Sequence, residues 1–544
     1  MGENTVQEVK IITEGTARIF EEGNVFYNPV QEFNRDVSIC VLNTFFEIYH
    51  KELDLKEANR AKPSNKPKKK IRILEALAAT GLRSIRYAKE VKGFDEVVAN
   101  DLLNGAVKMI KKNVEANGVE DKVTVNHADA TIFMYTSTSY DKRFTVIDLD
   151  PYGTPSKFID AAIQSIEDGG LLCITATDMA VLAGNTPEAC IVKYGSVPIR
   201  SKACHELALR ILLRSIESQA NKYGRYIKPL LSLSIDFYVR LFVRVYTGQF
   251  QCKESSTKQS MVFQCTGCET LTLQPLAYKK TSIDNPNSIK FNLPTGPYVN
   301  TNCEHCSNKH HMGGPIWSAN IHDFDFVNNL INYVKIEGTN LGTYSRLIGV
   351  LTMVQEELPD VPLYYKIDQI CHHMRVATIP ALKMRSAILH ENYRVSYSHA
   401  CKNSIKTDAP ISLLWDILRY WAKLNPVNPA KITEGSVVKA LLSKEPTKEY
   451  EFDFIHQDAN PPSRRDALTR FQINPTVNWG PGTRNQLMVE GNKPSISKNI
   501  RNQGKNKKKR NNNDDNEEEK LPDSKHVKID DAEMTESDEI KVTL

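Results

Sequence analysis

Two groups of residues in this 544-residue chain have the types and spacing to do chemistry. The first is Asp150-Pro151-Tyr152-Gly153, which follows the apolar run 144–148. A carboxylate at that point can accept a hydrogen bond from an N–H, localise an amine lone pair otherwise delocalised into a ring, and take up the released proton. Pro151 fixes the local backbone. Tyr152 can stack on a flat ring and hold it in line for attack, positioning that at its extreme lowers a barrier by about 7–11 kcal/mol. The same four residues also make an ordinary turn. Their place after a strand favours the chemical reading, because open α/β sheets bind ligands beyond the carboxyl ends of their strands. The second group is Cys265 and Cys268 with Cys303 and Cys306, two CxxC knuckles whose four thiolates suit a tetrahedral zinc ion. His310 and His311 could replace one cysteine, and unrelated free thiols are the other reading. Four protein ligands would make the metal structural. Neither pair opens a helix after a buried strand, as a redox pair would.

These groups need a scaffold. Strand-like runs at 71–77, 97–101, 123–127, 144–148 and 171–176 alternate with helical patterns at about 84–90, 105–117 and 155–168. That alternation predicts an α/β fold with a doubly wound, mainly parallel sheet. A helix is expected over 202–222, and the runs 229–235 and 238–246 are expected to pair antiparallel. From 251 to about 320 the chain is rich in Cys, Thr, Asn, Gly and Pro, a composition that calls for a metal staple, with a loop or hairpin between the knuckles. Beyond it, a helix is expected over 411–423 with Trp415 and Trp421. From about 486 the sequence is Asn, Lys, Asp and Glu with almost no aromatics, and so is expected to be disordered.

Within the sheet, ILEALAATGLRS puts the Thr80-Gly81 turn between a strand and a helix, where backbone can pass close to a ligand. Asp101, about twenty residues on, stands where a carboxylate grips ribose hydroxyls, and Asp129-Ala130 follows the third strand beside the expected adenine edge. The single glycine departs from the G-x-G-x-x-G of dinucleotide binders, which argues against NAD and for S-adenosylmethionine, a ligand without phosphates. Asp-Pro-Tyr after the fourth strand resembles the fourth motif of amino-group N-methyltransferases.

Bulk composition mainly excludes. Neither a signal peptide nor an apolar run of membrane-spanning length is visible, so a soluble intracellular protein is expected. Eleven scattered cysteines do not form a secreted disulfide framework; Cys40, Cys173 and Cys401 read as buried packing residues. A net charge of +5 permits nucleic-acid binding without demonstrating it. Basic runs at 66–70 and 505–510 suit phosphate contacts, nuclear import or simple solvated loops.

The segments FYNPVQEFNRD (26–36), ILEALAATGLRS (73–84), VVANDLL (97–103), VIDLDPYGTP (146–155), TDMAVLAGN (177–185), CHELALRILL (204–213), YSHACKNSIKTDAP (397–410) and RFQINPTVNWGPG (470–482), with the two knuckles, resemble the tRNA (guanine-26 N2) dimethyltransferase family in order over about 20–485. The resemblance implies a class I methyltransferase domain at 1–250 with a basic loop at 55–70. It also implies an α+β tRNA-binding domain at 251–485 with a zinc module at about 259–317, and a tail at 486–544. It implies one or two methyl transfers from S-adenosylmethionine to the N2 of guanine 26 in tRNA. Arg35, Arg83, Asp101, Asp129 and Ala130 would bind the donor, Asp150 would be the catalytic carboxylate, and Phe26 and Tyr152 would sandwich the flipped guanine. Departures stand at SVPIRSKACHE (196–206) and NWGPG. No obligate protein partner is inferred, and a nuclear location is expected, with mitochondrial or cytoplasmic shares left open. Two other readings remain: a methyltransferase for another amino group, and a catalytically silent RNA-binding protein or chaperone, which the intact Asp150-Pro151-Tyr152 disfavours.

Overall fold

Ile73 and Leu74, Val97 and Val98, and Val146 and Ile147 are all buried, each pair split between opposite faces of one sheet. Strands covered on both sides need this continuous apolar sequence. In the computed structural model, residues 10–21, 27–59, 69–281 and 288–471 are described. Phe26, most of the 55–70 loop and everything from 472 onward lie outside them.

An antiparallel hairpin, β1 (Lys10–Glu14) and β2 (Ala17–Glu21), precedes the long helix α1 (Glu32–Ala58). Strands and helices then alternate: β3 (Arg72–Glu75), α2 (Leu82–Glu90), β4 (Glu96–Asp101), α3 (Asn104–Asn117), β5 (Val123–His127) and α4 (Ala130–Thr136). Next come β6 (Phe144–Leu149), α5 (Ser156–Ser165), β7 (Ile166–Ala176), α6 (Met179–Leu182), α7 (Pro187–Tyr194) and α8 (Cys204–Asn221). The hairpin β8 (Arg225–Ile235) and β9 (Tyr238–Thr247) completes a seven-stranded sheet of order β5-β4-β3-β6-β7-β9-β8. The first five are parallel to their neighbours, and β9 runs antiparallel to both β7 and β8. A mixed sheet with helices on both faces fits the class I methyltransferase fold. The expected antiparallel pair is present, as are the helices near 84–90, 105–117 and 202–222.

Two boundaries differ. Helix α1 runs through Ala58, so the first residues of the loop expected at 55–70 are helical. The helix expected to reach 168 stops at Ser165, and the chain is already extended from Ile166. The cause is a bulge: Phe144 pairs with Ile166, but Val146 pairs with Leu171. Gly169 takes φ +78°, and a Cβ on Gly170 would lie 2.8 Å from the Thr145 carbonyl oxygen, so two glycines let β7 bend there.

The stretch after 250 is more regular than its composition suggested. After α9 (Gln249–Glu254), strands β10 (Gln259–Cys265), β11 (Leu271–Pro275) and β14 (His310–Trp317) form an antiparallel sheet of order β11-β10-β14. Between the knuckles lies the expected hairpin, β12 (Tyr278–Thr281) with β13 (Ile289–Asn292). Helices α10 (Phe324–Glu337) and α11 (Tyr344–Glu356) bury Phe326, Val327, Leu330, Leu347 and Leu351 in the apolar layer that α1 and α2 make on the sheet. The remainder comprises β15 (Tyr365–Lys366), α12 (Ile367–His373), α13 (Ala381–His390), β16 (Val395–Ser398), β17 (Cys401–Thr407) and α14 (Ile411–Leu424) around a third apolar cluster. Trp415 is buried there, while Trp421 is half-buried and donates Nε1–H to the Ala377 carbonyl at 2.8 Å. Cys40 and Cys173 are buried as expected. Cys401 is not: it is only half-buried, at the first position of β17. Among the described residues no helix is long and apolar enough to cross a membrane.

Candidate active site and cysteine cluster

The parallel strands deliver their carboxyl ends to one edge, and Gly81, Asp101, Asp129, Ala130, Asp150 and Tyr152 collect there. Gly81, at φ +77°, turns the chain from β3 into α2; its Cβ position lies 3.1 Å from Ile110, so a side chain would disturb both turn and α3. Asp101, ending β4, ties this turn down: Oδ2 accepts from the Ala79 N–H at 2.9 Å and Oδ1 from the Leu103 N–H at 2.9 Å. Asp129 caps α4, its Oδ1 accepting from Thr131 N at 2.8 Å and Ile132 N at 3.1 Å, and Ala130 is buried behind it. Around them Leu102, Leu103 and Ile132 are exposed and form an apolar rim.

Asp150 leaves the end of β6 with its side chain 21% exposed and ion-paired to Nη2 of Arg83. Arg83 is buried; Nη1 donates to Asn34 Oδ1 at 3.2 Å and Ser38 Oγ at 3.3 Å, and the guanidinium also lies 3.6 Å from Asp148 and Glu75. Tyr152 projects from the same loop, 69% exposed, and its phenol is held up first by partial desolvation and then by the Asp150 and Asp101 carboxylates. The loop is braced from behind. Gly153 N–H donates to Thr177 Oγ1 at 2.8 Å, Thr177 N–H donates to the Gly153 carbonyl at 2.9 Å, and Thr154 Oγ1 shares a 2.8 Å bond with Tyr194 OH. Tyr194 and Lys193 in turn hold Asp178 at 2.7 and 3.1 Å.

Arg35 pairs with a different carboxylate, Glu14. Its Nε and Nη2 meet the two oxygens of Glu14 at 2.6 and 2.5 Å, and its guanidinium lies 5.5 Å from the Tyr27 ring. Arg86 Nη1 reaches the same Glu14 at 2.7 Å and Asp36 at 2.8 Å. Glu14 thereby fastens the β1–β2 hairpin over α1 and α2.

Several supporting residues were missed in the sequence. Asp148 is fully enclosed and chelated by Arg240 at 2.8 and 2.7 Å, with Tyr87 OH donating at 2.6 Å. Burial alone would raise this carboxyl, but Arg240 and then Arg83 outweigh it and hold it low. Glu75 goes the other way: burial pushes it up to about 8 despite Arg83 and Ser84. The signal was present as charges inside apolar strands, Asp148 in VIDLD and Arg240 in FYVRLF, which must find each other once buried.

The four knuckle cysteines converge. Cys265 and Cys306 Sγ are 3.2 Å apart, Cys268 and Cys303 Sγ 3.6 Å, and all four lie within 4.8 Å of one another, buried and unbridged. Four Zn–S bonds of about 2.3 Å in a tetrahedron put the sulfurs roughly 3.8 Å apart, so the set fits such an ion. His310 and His311 are not in the cluster; they pair along β14 with Cys265 and Gln264.

His322, Glu357 and His399 also bring ligand-type atoms within 4.8 Å. Their hydrogen bonds oppose a metal. His322 Nδ1 accepts from Ser232 N–H at 3.3 Å and His399 Nε2 from Ser234 N–H at 3.2 Å, so each ring carries its proton on the other nitrogen. His399 Nδ1 faces Glu357 at 2.5 Å, and Lys406 bridges Glu357 and Glu206 at 3.0 Å each. This is a latch that closes the free edge of β8.

Comparison with known proteins agrees with this geometry. Residues 2–419 match the family described as N2,N2-dimethylguanosine tRNA methyltransferase. The tRNA (guanine(26)-N(2))-dimethyltransferase of Drosophila melanogaster is 56% identical over 521 residues, covering 91% of this chain and 90% of that protein. The human protein of the same name is 46% identical, covering 89% and 79%. Trm1 from Pyrococcus horikoshii, solved with S-adenosyl-L-methionine, is 29% identical with a TM-score of 0.60, covering 74% of this chain and 98% of that one. A match over more than half the chain, a relative at 56% identity over nine-tenths of it, and an acidic-aromatic tip on a methyltransferase sheet together place this chain in the N2,N2-dimethylguanosine tRNA methyltransferase family.

Proposed function

We propose that this chain transfers one or two methyl groups from S-adenosylmethionine to the exocyclic N2 of guanine 26 in tRNA. The observation that carries the reading is the Asp150 carboxylate and the exposed Tyr152 ring at the end of β6, beside the Gly81 turn and Asp101. When bound, the donor supplies an electrophilic methyl group on a sulfonium. The exposed Leu102, Leu103 and Ile132 rim suits the faces of its adenine, with Asp129 and Ala130 beneath, and Asp101 suits its ribose. Arg83 and Arg35 suit its carboxylate, which would share them with Asp150 and Glu14.

Tyr152 stacks on the flipped guanine, with Phe26 proposed on its other face. Asp150, ion-paired to Arg83, accepts the N2–H hydrogen bond, turns the lone pair outward and receives the proton. After one methylation the amine still carries an N–H, so the same carboxylate can orient it again. Residues 1–250 would form the catalytic domain and 251–485 the tRNA-gripping domain, with zinc on Cys265, Cys268, Cys303 and Cys306 as its staple. The basic runs at 66–70 and 505–510 support nuclear import.

The test is tritiated methyl transfer onto unmodified tRNA with and without guanine at position 26. Incorporation only into the guanine-bearing substrate supports the reading; equal incorporation into both would refute the assignment of position.

A further inference from the structure

We infer that the outer face of the joint between the catalytic sheet and the 399–406 hairpin is a phosphate-binding seam for the substrate tRNA, carried by Lys202, Lys366 and Lys402 and continued toward the catalytic loop by Arg200. The inference rests on the tRNA reading above and adds where the RNA backbone is gripped.

The joint is fixed by the latch. His399, in the turn between β16 and β17, holds Ser234 of β8 at 3.2 Å, and His205, at the start of α8, lies 3.4 Å from the Ser234 hydroxyl. Ser234 pairs with Val239, Val239 with Ala176, and Thr177 bonds Gly153, so this turn stands on the same edge of the sheet as Asp150. Three strand spacings of about 4.8 Å separate β8 from β6, which sets the turn roughly 15 Å from the Asp150 end. That is near enough for the strand flanking a base held at Tyr152.

The lysines at this joint divide by burial. Lys406 is buried and fully occupied between Glu206 and Glu357. Lys202 and Lys402 are exposed and make no ion pair among the described residues, and Lys366 reaches only the exposed Asp368 at 3.3 Å. They share one locality: Lys366 of β15 pairs with Ser404 of β17, two residues from Lys402, and Lys202 stands just before α8, whose His205 and Glu206 meet Ser234 and Lys406. Arg200 is also exposed and donates to the Gly184 carbonyl at 3.1 Å, just beyond α6, which links the seam to the segment bracing the catalytic loop. The acids at this joint are paired: Glu206 and Glu357 by Lys406 and Arg210, Asp178 by Lys193, Asp236 by Arg346 and Asp368 by Lys366, which leaves Lys202, Lys402 and Arg200 as the uncompensated charges. The seam therefore shows net positive charge beside the mouth, which is what a polyanion requires.

The opposite end of the sheet supplies the control. β9 ends there at Thr247, α9 follows, and Lys279 of the β12–β13 hairpin reaches Glu254 of α9 at 2.5 Å. Lys280 and Lys290 of that hairpin are exposed too, but at the end away from Asp150.

The experiment compares the wild-type chain, a triple variant Lys202→Gln, Lys366→Gln, Lys402→Gln, and a control Lys280→Gln, Lys290→Gln. Filter binding to unmodified tRNA over a salt series gives the slope of log affinity against log salt, methylation kinetics give KM, and calorimetry gives donor affinity. Each lost phosphate contact should flatten the slope by about 1, so the triple variant should lose about 3, with KM raised at least tenfold and donor affinity unchanged. The control should keep the wild-type slope. A triple variant with wild-type slope and KM, or a control that loses as much slope per lysine, would overturn the seam. Failure of the wild type to methylate tRNA would instead sink the enzymatic reading, while the binding series would still decide the seam.

Discussion

Replacing Asp150 with asparagine removes one charge and almost no volume. In the structure the Asp150 carboxylate meets Arg83, and Arg83 keeps Asn34, Ser38 and nearby Asp148 and Glu75 after the change. The pair is largely buried, but the arginine is not stranded, so the loss of stability should be about 1–3 kcal/mol, below the 3–5 kcal/mol of a buried charge left bare. Catalysis should suffer far more. An amide oxygen can still accept the N2–H bond, but a charge-assisted hydrogen bond is worth about 1.5–3 kcal/mol, or roughly 10–150-fold in rate. The amide also cannot receive the proton, and positioned acid–base groups contribute about 10²–10⁴. Asp150→Asn should thus lower single-turnover methyl transfer by at least about 10²-fold, with donor affinity close to wild type and only a modest fall in melting temperature. Adding Arg83→Gln should further weaken donor binding, since this arginine is also proposed for the donor carboxylate, while adding little to the loss in the proton-accepting step, where both residues act on one group. Single-turnover transfer of labelled methyl to tRNA, with calorimetry for the donor, reads all of this. A folded Asp150→Asn protein within threefold of the wild-type rate would refute the role given to this carboxylate.

Asp148→Ala should cost about 3–5 kcal/mol in denaturant unfolding, because Arg240 and Tyr87 lose their buried partner; a cost below 1 kcal/mol would mean the cluster is not closed. His322, enclosed and accepting Ser232 N–H, has its imidazole held well below the ordinary value, by burial first and His399 next. The unfolded chain therefore binds this proton more readily, so the contribution is complete above about pH 6.5 and falls away as pH drops toward the lowered folded value. His322→Ala should destabilise by about 1–3 kcal/mol at pH 7.5 and flatten the fall below pH 6.5; an unchanged acid limb would contradict it. Cys268→Ser should reduce bound zinc in the purified protein from one equivalent to well below that and lower the melting temperature, and metal analysis showing no zinc in the wild type would remove the staple.

Much of this arrangement was legible in sequence, and the unread parts share a cause. Gly81, Asp101, Asp129 and Asp150 could be placed because each ends a strand or opens a helix, so chain order alone fixes their edge of the sheet. The knuckles could be read because two short spacings bring sulfurs together whatever lies between them. What local pattern does not carry is pairing across the fold. Asp148 and Arg240 sit 92 residues apart, and Glu14 joins Arg35 and Arg86 from an N-terminal hairpin with no motif of its own. The β7 boundary moved because Gly169 and Gly170 act as a bulge, where a helix pattern masks the start of the strand. The closing of the β8 edge by two imidazoles follows no spacing rule, since Ser234 and His399 are 165 residues apart.

The central claim is that one amine, the N2 of guanine 26, is carried to the tip of β6. Mass spectrometry of nuclease fragments from unmodified tRNA, incubated with the enzyme and S-adenosylmethionine, tests it most directly. The account predicts N2-methyl- and N2,N2-dimethylguanosine in the fragment bearing position 26 and no methyl gain elsewhere. Methylation of another nucleoside, or of a ring nitrogen of that guanine, would contradict it.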